Sequence, residues 1–212
     1  GALTLDDGAR LAVERSRAVR SVCGHGAMAL VEQPVAAVEE LLAPYGDRLS
    51  VAAVNSPAST VVSGDDEAID ELVDQLARVD TFCRKINVNY ASHNAQMDPL
   101  LPRLRQQFAG LSPKITSIPF HSTVLGREAD GRELDGVYWG RNLRERVQFG
   151  RVVDALLASG HTTFVEVSAH PVLSMALSDA VAEVNGVQTG TLVRGDGSRG
   201  QLLTAAGALY VR

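Results

Sequence analysis

His93 is the side chain in this sequence best placed to do chemistry. It follows residues 82–88, which alternate apolar and polar as a half-buried strand does. It precedes residues 99–108, where Leu100, Leu101, Leu104 and Phe108 share a helical face. A side chain at such a strand-to-helix junction tends to lie at the mouth of a site, where an imidazole exchanges protons near neutral pH. The same position suits a histidine that merely caps or fills the junction, and residue type leaves both readings open. His25, in the Gly24-His25-Gly26 link, and His121, within a strand-like run, are set less favourably. Cys23 and Cys83 are too few for a disulfide framework and have no short spacing to histidine of the kind zinc needs, so they read as reduced thiols with no metal.

The elements that must hold His93 follow from periodicity. Thr4, followed by Asp6 and Asp7, marks a helix start. Residues 9–22 continue it, with Leu11, Val19 and Val22 apolar and Arg10, Arg15, Arg17 and Arg20 charged, the usual pattern of a solvated arginine face. A strand over 27–32, a helix over 34–43 beginning at Pro34, strands over 49–54 and 59–62, an amphipathic helix over 65–78 and a strand over 82–88 come next. That βαββαβ order is the ferredoxin-like plan. Asn55-Ser56-Pro57 is a turn.

Beyond the helix over 99–108, the pattern predicts a strand over 114–124, interrupted near an edge by Pro119. An exposed loop over 126–136 is expected next. In the helix-bearing segment 137–160, Val147, Phe149, Val152, Val153, Leu156 and Leu157 turn inward. A buried strand over 162–167, a helix from His170-Pro171 to about residue 184, a short strand over 190–193 and a helix over 202–210 complete the chain. Arg141, Arg144, Arg146 and Arg151 form a local basic cluster, either a solvated face or a surface for an acidic partner. The run from Gly195 to Gly200 lacks the Gly-Lys-Ser/Thr ending of a phosphate loop and reads as a surface turn.

The 212 residues, 45% hydrophobic with 19 glycines, suffice for a real core. A formal charge of −5 argues against a nucleic-acid surface, which needs a basic face. No apolar run approaches the ~18 residues a membrane helix needs, and the first residues lack the features of a signal peptide. A soluble, cytoplasmic protein is expected, with neither nucleic acid nor membrane as partner.

Tyr90-Ala91-Ser92-His93 resembles the Tyr-Ala-Ser-His motif of acyltransferase domains in modular polyketide synthases. So do Gly1-Ala2-Leu3-Thr4-Leu5, Glu14-Arg15-Ser16-Arg17, Gly26-Ala27-Met28, Val51-Ala52-Ala53-Val54-Asn55-Ser56-Pro57, Tyr138-Trp139 with Asn142-Leu143-Arg144, and Phe164-Val165-Glu166-Val167-Ser168 leading to His170-Pro171-Val172-Leu173. They occur in the family's order and at about its spacing. The resemblance implies an α/β fold: the C-terminal part of an α/β-hydrolase-like large lobe with an inserted ferredoxin-like small lobe. Residues 1–25 would be a large-lobe helix, 26–88 the small lobe and 89–212 the large lobe continued.

The same resemblance implies roles. His93 is the catalytic base, and the backbone carbonyl of Asn142 fixes its tautomer. Arg15 grips the free carboxylate of a malonyl-type unit, since a planar guanidinium meets a carboxylate through two parallel hydrogen bonds. Tyr90 and Ser92 face the substrate. Malonyl-selective relatives read His-Ala-Phe-His here, so Ser92 frees space for a branch methyl and favours methylmalonyl. Asn94 departs from the usual serine after the histidine and bears on the shape of that pocket.

The family's nucleophile is a serine in a Gly-His-Ser-x-Gly elbow. No Gly-x-Ser-x-Gly occurs in these residues, and Ser63-Gly64 and Ser92 are the nearest imitations. The chain is therefore expected to be the C-terminal two-thirds of such a domain, inactive alone, with the serine in a missing N-terminal part. Implied partners are an acyl carrier protein and neighbouring synthase domains. A coenzyme A thioester is the substrate, carrier phosphopantetheine the acceptor, and no cofactor is bound. A thioesterase-like hydrolase is a second reading, which an arginine clamp disfavours. A third is a non-catalytic module that docks a carrier protein.

Overall fold

The computed structural model describes residues 1–211. They form a mixed α/β structure of two compact units, Gly1–Phe149 and the residues from Gly150 on. The first unit opens with helix α1 (Leu5–Arg20), whose N-cap Thr4 accepts a hydrogen bond from the Asp7 amide at 3.0 Å. Acids fill its first turn and arginines its last, as the helix dipole favours.

Strand β1 (Ala27–Val31), helix α2 (Val35–Leu42), strands β2 (Leu49–Ser56) and β3 (Ser59–Gly64), helix α3 (Asp66–Ala77) and strand β4 (Cys83–Lys85) then build a four-stranded antiparallel sheet in the order β2-β3-β1-β4. In β1, alternate residues Ala27, Ala29 and Val31 are buried. They meet Val38 and Leu42 of α2 and Ile69, Leu72 and Leu76 of α3. Full burial of each of these larger aliphatic side chains contributes about 1.5–3 kcal/mol. Ala52, Ala53 and Val61 pack on Val147, which extends the β2 edge by exchanging backbone hydrogen bonds with Ala52 and Val54 at 2.8 and 2.9 Å.

Several expected bounds shift. The strand over 82–88 shrinks to β4, because after Ile86 donates to the Met28 carbonyl the Val88 amide turns back onto the Ile86 carbonyl. The helix over 99–108 begins as a 3-10 turn, Ala95–Leu100, and becomes α4 (Leu101–Gln107). Only β5 (Phe120–Ser122) survives of the strand over 114–124, and it pairs with β6 (Arg127–Ala129) inside the stretch expected to be an exposed loop. The Ser122 hydroxyl closes that hairpin by accepting from the Val124 and Leu125 amides.

Helix α5 (Gly136–Arg144) starts at Asp135, whose carboxylate accepts from the Tyr138 amide at 2.9 Å. Tyr138 and Trp139 stack edge to face, and the Trp139 indole donates to the Leu134 carbonyl. Both aromatic anchors fix where the helix begins. Leu143, near its end, joins Leu11 and Ala18 of α1 and Leu104 and Phe108 around α4 in one core.

The second unit carries α6 (Phe149–Ala158), β7 (Thr163–Glu166), α7 (Ser174–Glu183), β8 (Val187–Gly190) and α8 (Arg199–Tyr210), with β7 and β8 parallel. The strand expected to be buried over 162–167 is not. Val165 is 44% exposed, since among the described residues β8 is the only strand that pairs with it. The helix expected from His170-Pro171 starts at Ser174, because the Glu166 carboxylate holds the Val172 and Leu173 amides in a turn. Strand β8 precedes the expected 190–193. Among the described residues no helix is long and apolar enough to cross a membrane, and no group of side chains could hold a metal ion.

Candidate active site

Helix α1 delivers Arg15. It lies four residues after buried Leu11 and three before buried Ala18, so it projects from the inward stripe of the helix. Arg10, Arg17 and Arg20 do form the exposed face that the sequence suggests for all four arginines, and Arg15 departs from it. Its Nε is fully buried and has no hydrogen-bond partner. The adjacent acid is engaged elsewhere: Glu14 pairs with Arg17 at 2.6 Å and accepts from Gln107 Nε2 at 2.8 Å. Burial pushes the Arg15 guanidinium below its ordinary pKa, partly offset by Tyr90, but an arginine remains charged. A half-buried cation with an idle buried donor is suited to receive an anion.

Arg15, Tyr90, Ser92 and Leu143 wall a cavity of about 270 Å³ together with Ser16, Val19 and Cys23, and the exposed Arg20 also borders it. Ser92 is only 7% exposed, and Ala91 behind it is fully buried. A methyl group on Gly26 would come within 2.7 Å of the Ala91 Cβ and 2.8 Å of its nitrogen, so the entry to β1 presses directly on the motif. The Asn55-Ser56-Pro57 turn contributes no residue to this cavity, and neither does His93.

Burial pushes the His93 imidazole below the ordinary histidine pKa, the hydrogen bond to the Glu145 carbonyl works the other way, and the Arg15 charge lowers it further. The neutral ring is thereby favoured. Its Nδ1 lies 2.8 Å from the Glu145 carbonyl oxygen. A carbonyl only accepts, so Nδ1 carries the proton and Nε2 keeps its lone pair. The His93 amide donates to the Leu143 carbonyl at 3.0 Å. Its φ of 60° puts it in the left-handed region, an uncommon conformation of the kind that gathers at functional sites.

The carbonyl that orients the ring is thus that of Glu145 and not of Asn142. The reason is local: Asn142 is inside α5, whereas Glu145 is its C-cap and has turned to extended backbone, leaving its carbonyl outside the helix. A backbone acceptor leaves no trace in residue types. Asn94 turns away from the cavity. Its side chain reaches β2 and β3, with Nδ2 donating to Ser50 Oγ at 2.8 Å and to the Ser63 carbonyl at 3.1 Å.

Of the two imitations of a serine elbow, Ser63 is fully buried in β3 and Ser92 directly precedes His93 in the chain. The basic cluster is internally neutralised in part: Arg141 holds Glu145 through two hydrogen bonds, Arg144 pairs with Asp98 at 2.7 Å and Arg146 with Glu39 at 2.6 Å. Burial pushes the Cys83 thiol up to about 11, which makes it inert.

Comparison with known proteins identifies the family. A family model described as an acyl transferase domain matches residues 1–207. Erythronolide synthase EryA2 of Saccharopolyspora erythraea is 46% identical over 91% of the chain, which spans 5% of that protein. The acyltransferase domain from module 8 of the salinomycin polyketide synthase superposes with a TM-score of 0.96 at 40% identity, covering 99% of this chain and 50% of that one. The acyl transferase domain of SpnD, in complex with 2-(pent-4-yn-1-yl)malonyl, gives 0.86 at 27% identity over 99% of this chain and 51% of its own. The chain thus spans about half the length of these solved domains and a small part of the synthase.

Proposed function

Since this chain belongs to the acyl transferase domain family, in the form found in modular polyketide synthases, we propose that it supplies the base and the carboxylate clamp for loading a malonyl-type unit from coenzyme A onto an acyl carrier protein. The observation that carries this reading is Arg15, a half-buried cation whose buried Nε has no partner, in a cavity shared with Tyr90 and Ser92.

The transfer runs in two exchanges. The nucleophilic serine, which these residues do not provide, attacks the thioester carbonyl while His93 Nε2 takes its proton. The tetrahedral intermediate collapses, the C–S bond breaks, and the imidazolium returns the proton to the departing thiolate. The phosphopantetheine thiol of the carrier then enters, gives its proton to the same Nε2 and takes the acyl group. The serine leaves with that proton. The Glu145 carbonyl keeps Nδ1 protonated throughout and stabilises the transient imidazolium. Arg15 holds the carboxylate in both halves, a task that simple hydrolysis does not require.

In this reading the four-stranded sheet over residues 26–88 is a ferredoxin-like small lobe, and residues 1–25 and 89–212 belong to a hydrolase-like large lobe. Ser92 sets selectivity. A small buried side chain on the cavity wall leaves room for a branch methyl, and the SpnD relative, which binds a larger alkylmalonyl unit, supports a branched acyl group. Carrier docking through Arg144 and Arg146 requires acids of the carrier to displace Asp98 and Glu39. Exposed pairs of this kind contribute only about 0–1 kcal/mol, so the exchange is cheap.

The experiment uses the longer synthase containing this chain, with acyl-CoA competition. Arg15→Ala should lose transfer from methylmalonyl-CoA and narrow its advantage over acetyl-CoA. An unchanged preference for the carboxylated substrate would remove Arg15 from the clamp.

A further inference from the structure

We propose that Asn94 is a positioning residue, a latch through which the four-stranded sheet holds the backbone of His93 in its working place. The inference rests on His93 being the base. It starts from the hydrogen bonds of Asn94, the residue that directly follows His93.

His93 is tied on one side to the end of α5, by its amide to the Leu143 carbonyl and by Nδ1 to the Glu145 carbonyl. Two residues after Glu145, Val147 hydrogen-bonds to the edge of β2, and the intervening Arg146 pairs with Glu39 of α2. The carbonyl that aims the imidazole is therefore set by the sheet. Asn94 ties the other side of His93 to the same sheet. It is 2% exposed, and its carboxamide is fully used: both Nδ2 hydrogens are donated, to Ser50 Oγ of β2 and the Ser63 carbonyl of β3, while Oδ1 accepts from the Gln96 amide at 3.0 Å.

The consequence is a closed frame in which the ring's acceptor and the ring's own backbone are referred to one rigid body. That matters because His93 has a left-handed φ, which persists only where the surroundings impose it. A serine at 94 is shorter and has one donor. With one donor it cannot hold both strands, so it would give up at least one of the two ties and leave the Ser63 carbonyl with the longer hydrogen bond from Ser50 Oγ, at 3.5 Å.

The test uses the longer acyl transferase domain that contains this chain, ¹⁵N-labelled, as wild type, Asn94→Ser and Ser50→Ala. Ser50→Ala removes one anchor without altering the loop sequence, and serves if the first variant fails to fold. Ring ¹⁵N spectra read the His93 tautomer, and hydrogen exchange reads its amide against the buried amide of Val62. Expected is a dominant Nδ1–H tautomer in the wild type. Both variants should show a mixture of tautomers and a roughly tenfold faster exchange at His93, with Val62 moving much less. An unchanged tautomer and unchanged His93 exchange in the folded variants would overturn the latch, as would equal acceleration at Val62. The dependence on His93 as base is separable: full transfer by His93→Gln in the longer synthase would defeat the proposed function and leave these spectroscopic results standing.

Discussion

Replacing Arg15 by methionine should move stability and acyl transfer in opposite directions. The side chain leaves the inward stripe of α1 between Leu11 and Ala18, and its Nε is buried with no partner. In the absence of substrate the guanidinium gives up solvation without recovering it from a protein carboxylate, because Glu14 is taken by Arg17 and Gln107. Exchanging a half-buried charge with an unpaired buried Nε for an apolar side chain of similar length should stabilise the fold by about 1–2 kcal/mol. For a chain of this size that corresponds to a rise in Tm of roughly 2–8 °C. The same change removes two charge-assisted hydrogen bonds to the substrate carboxylate, each worth about 1.5–3 kcal/mol, and should cut transfer by at least a hundredfold. Thermal unfolding of this chain gives the first number, and acyl transfer by the longer synthase gives the second. A fall in Tm would refute the reasoning, since it would make Arg15 a structural anchor and not a cation held ready for an anion.

Gly26→Ala should lower stability by about 1–3 kcal/mol in urea unfolding, because the new methyl group cannot fit beside the Ala91 backbone. It should also shift the His93 ring resonances. Because burial lowers the His93 pKa in the fold, the unfolded chain takes up its proton first as pH falls. His93 therefore favours the folded state most fully above its unfolded value of ~6.5, and that contribution is lost as pH falls through the lower folded value. His93→Gln should flatten the stability profile between ~6.5 and that lower folded value, and an unchanged slope there would count against a buried neutral imidazole. Ser92→Phe should shift relative kcat/KM from methylmalonyl-CoA towards malonyl-CoA by roughly ten- to two-hundredfold, and no shift would exclude Ser92 as the determinant. Glutamate at both Arg144 and Arg146 should weaken transfer to the carrier while sparing hydrolysis of the acyl-CoA, and equal losses would dismiss the docking role.

His93 and the Tyr90-Ala91-Ser92 that precedes it were legible in the sequence because a motif names side chains. Arg15 was singled out by motif alone, since its type and spacing matched the solvated arginines of the same helix, and only the fold separates it from Arg10, Arg17 and Arg20. Glu145 was not legible, since the ring is oriented by a carbonyl that any residue carries and that a helix end leaves free. Asn94 read as a pocket residue because sequence adjacency to Ser92 says nothing of direction. Burial sends the two side chains opposite ways, one to the cavity and the other to the sheet. The βαββαβ order came through because each element carries a clean period. The short hairpin of β5 and β6 did not, since its three-residue strands rest on the Ser122 hydroxyl and not on an apolar pattern.

The most direct test of the central claim is intact mass after brief exposure to methylmalonyl-CoA. This chain would be measured alone and in the longer synthase, with wild-type and His93→Gln forms of each. The account predicts no acyl adduct on the chain alone, an adduct on a serine outside these residues in the longer protein, and much slower labelling when His93 is replaced. An adduct on one of this chain's own serines or cysteines, or equal labelling without the imidazole, would contradict it.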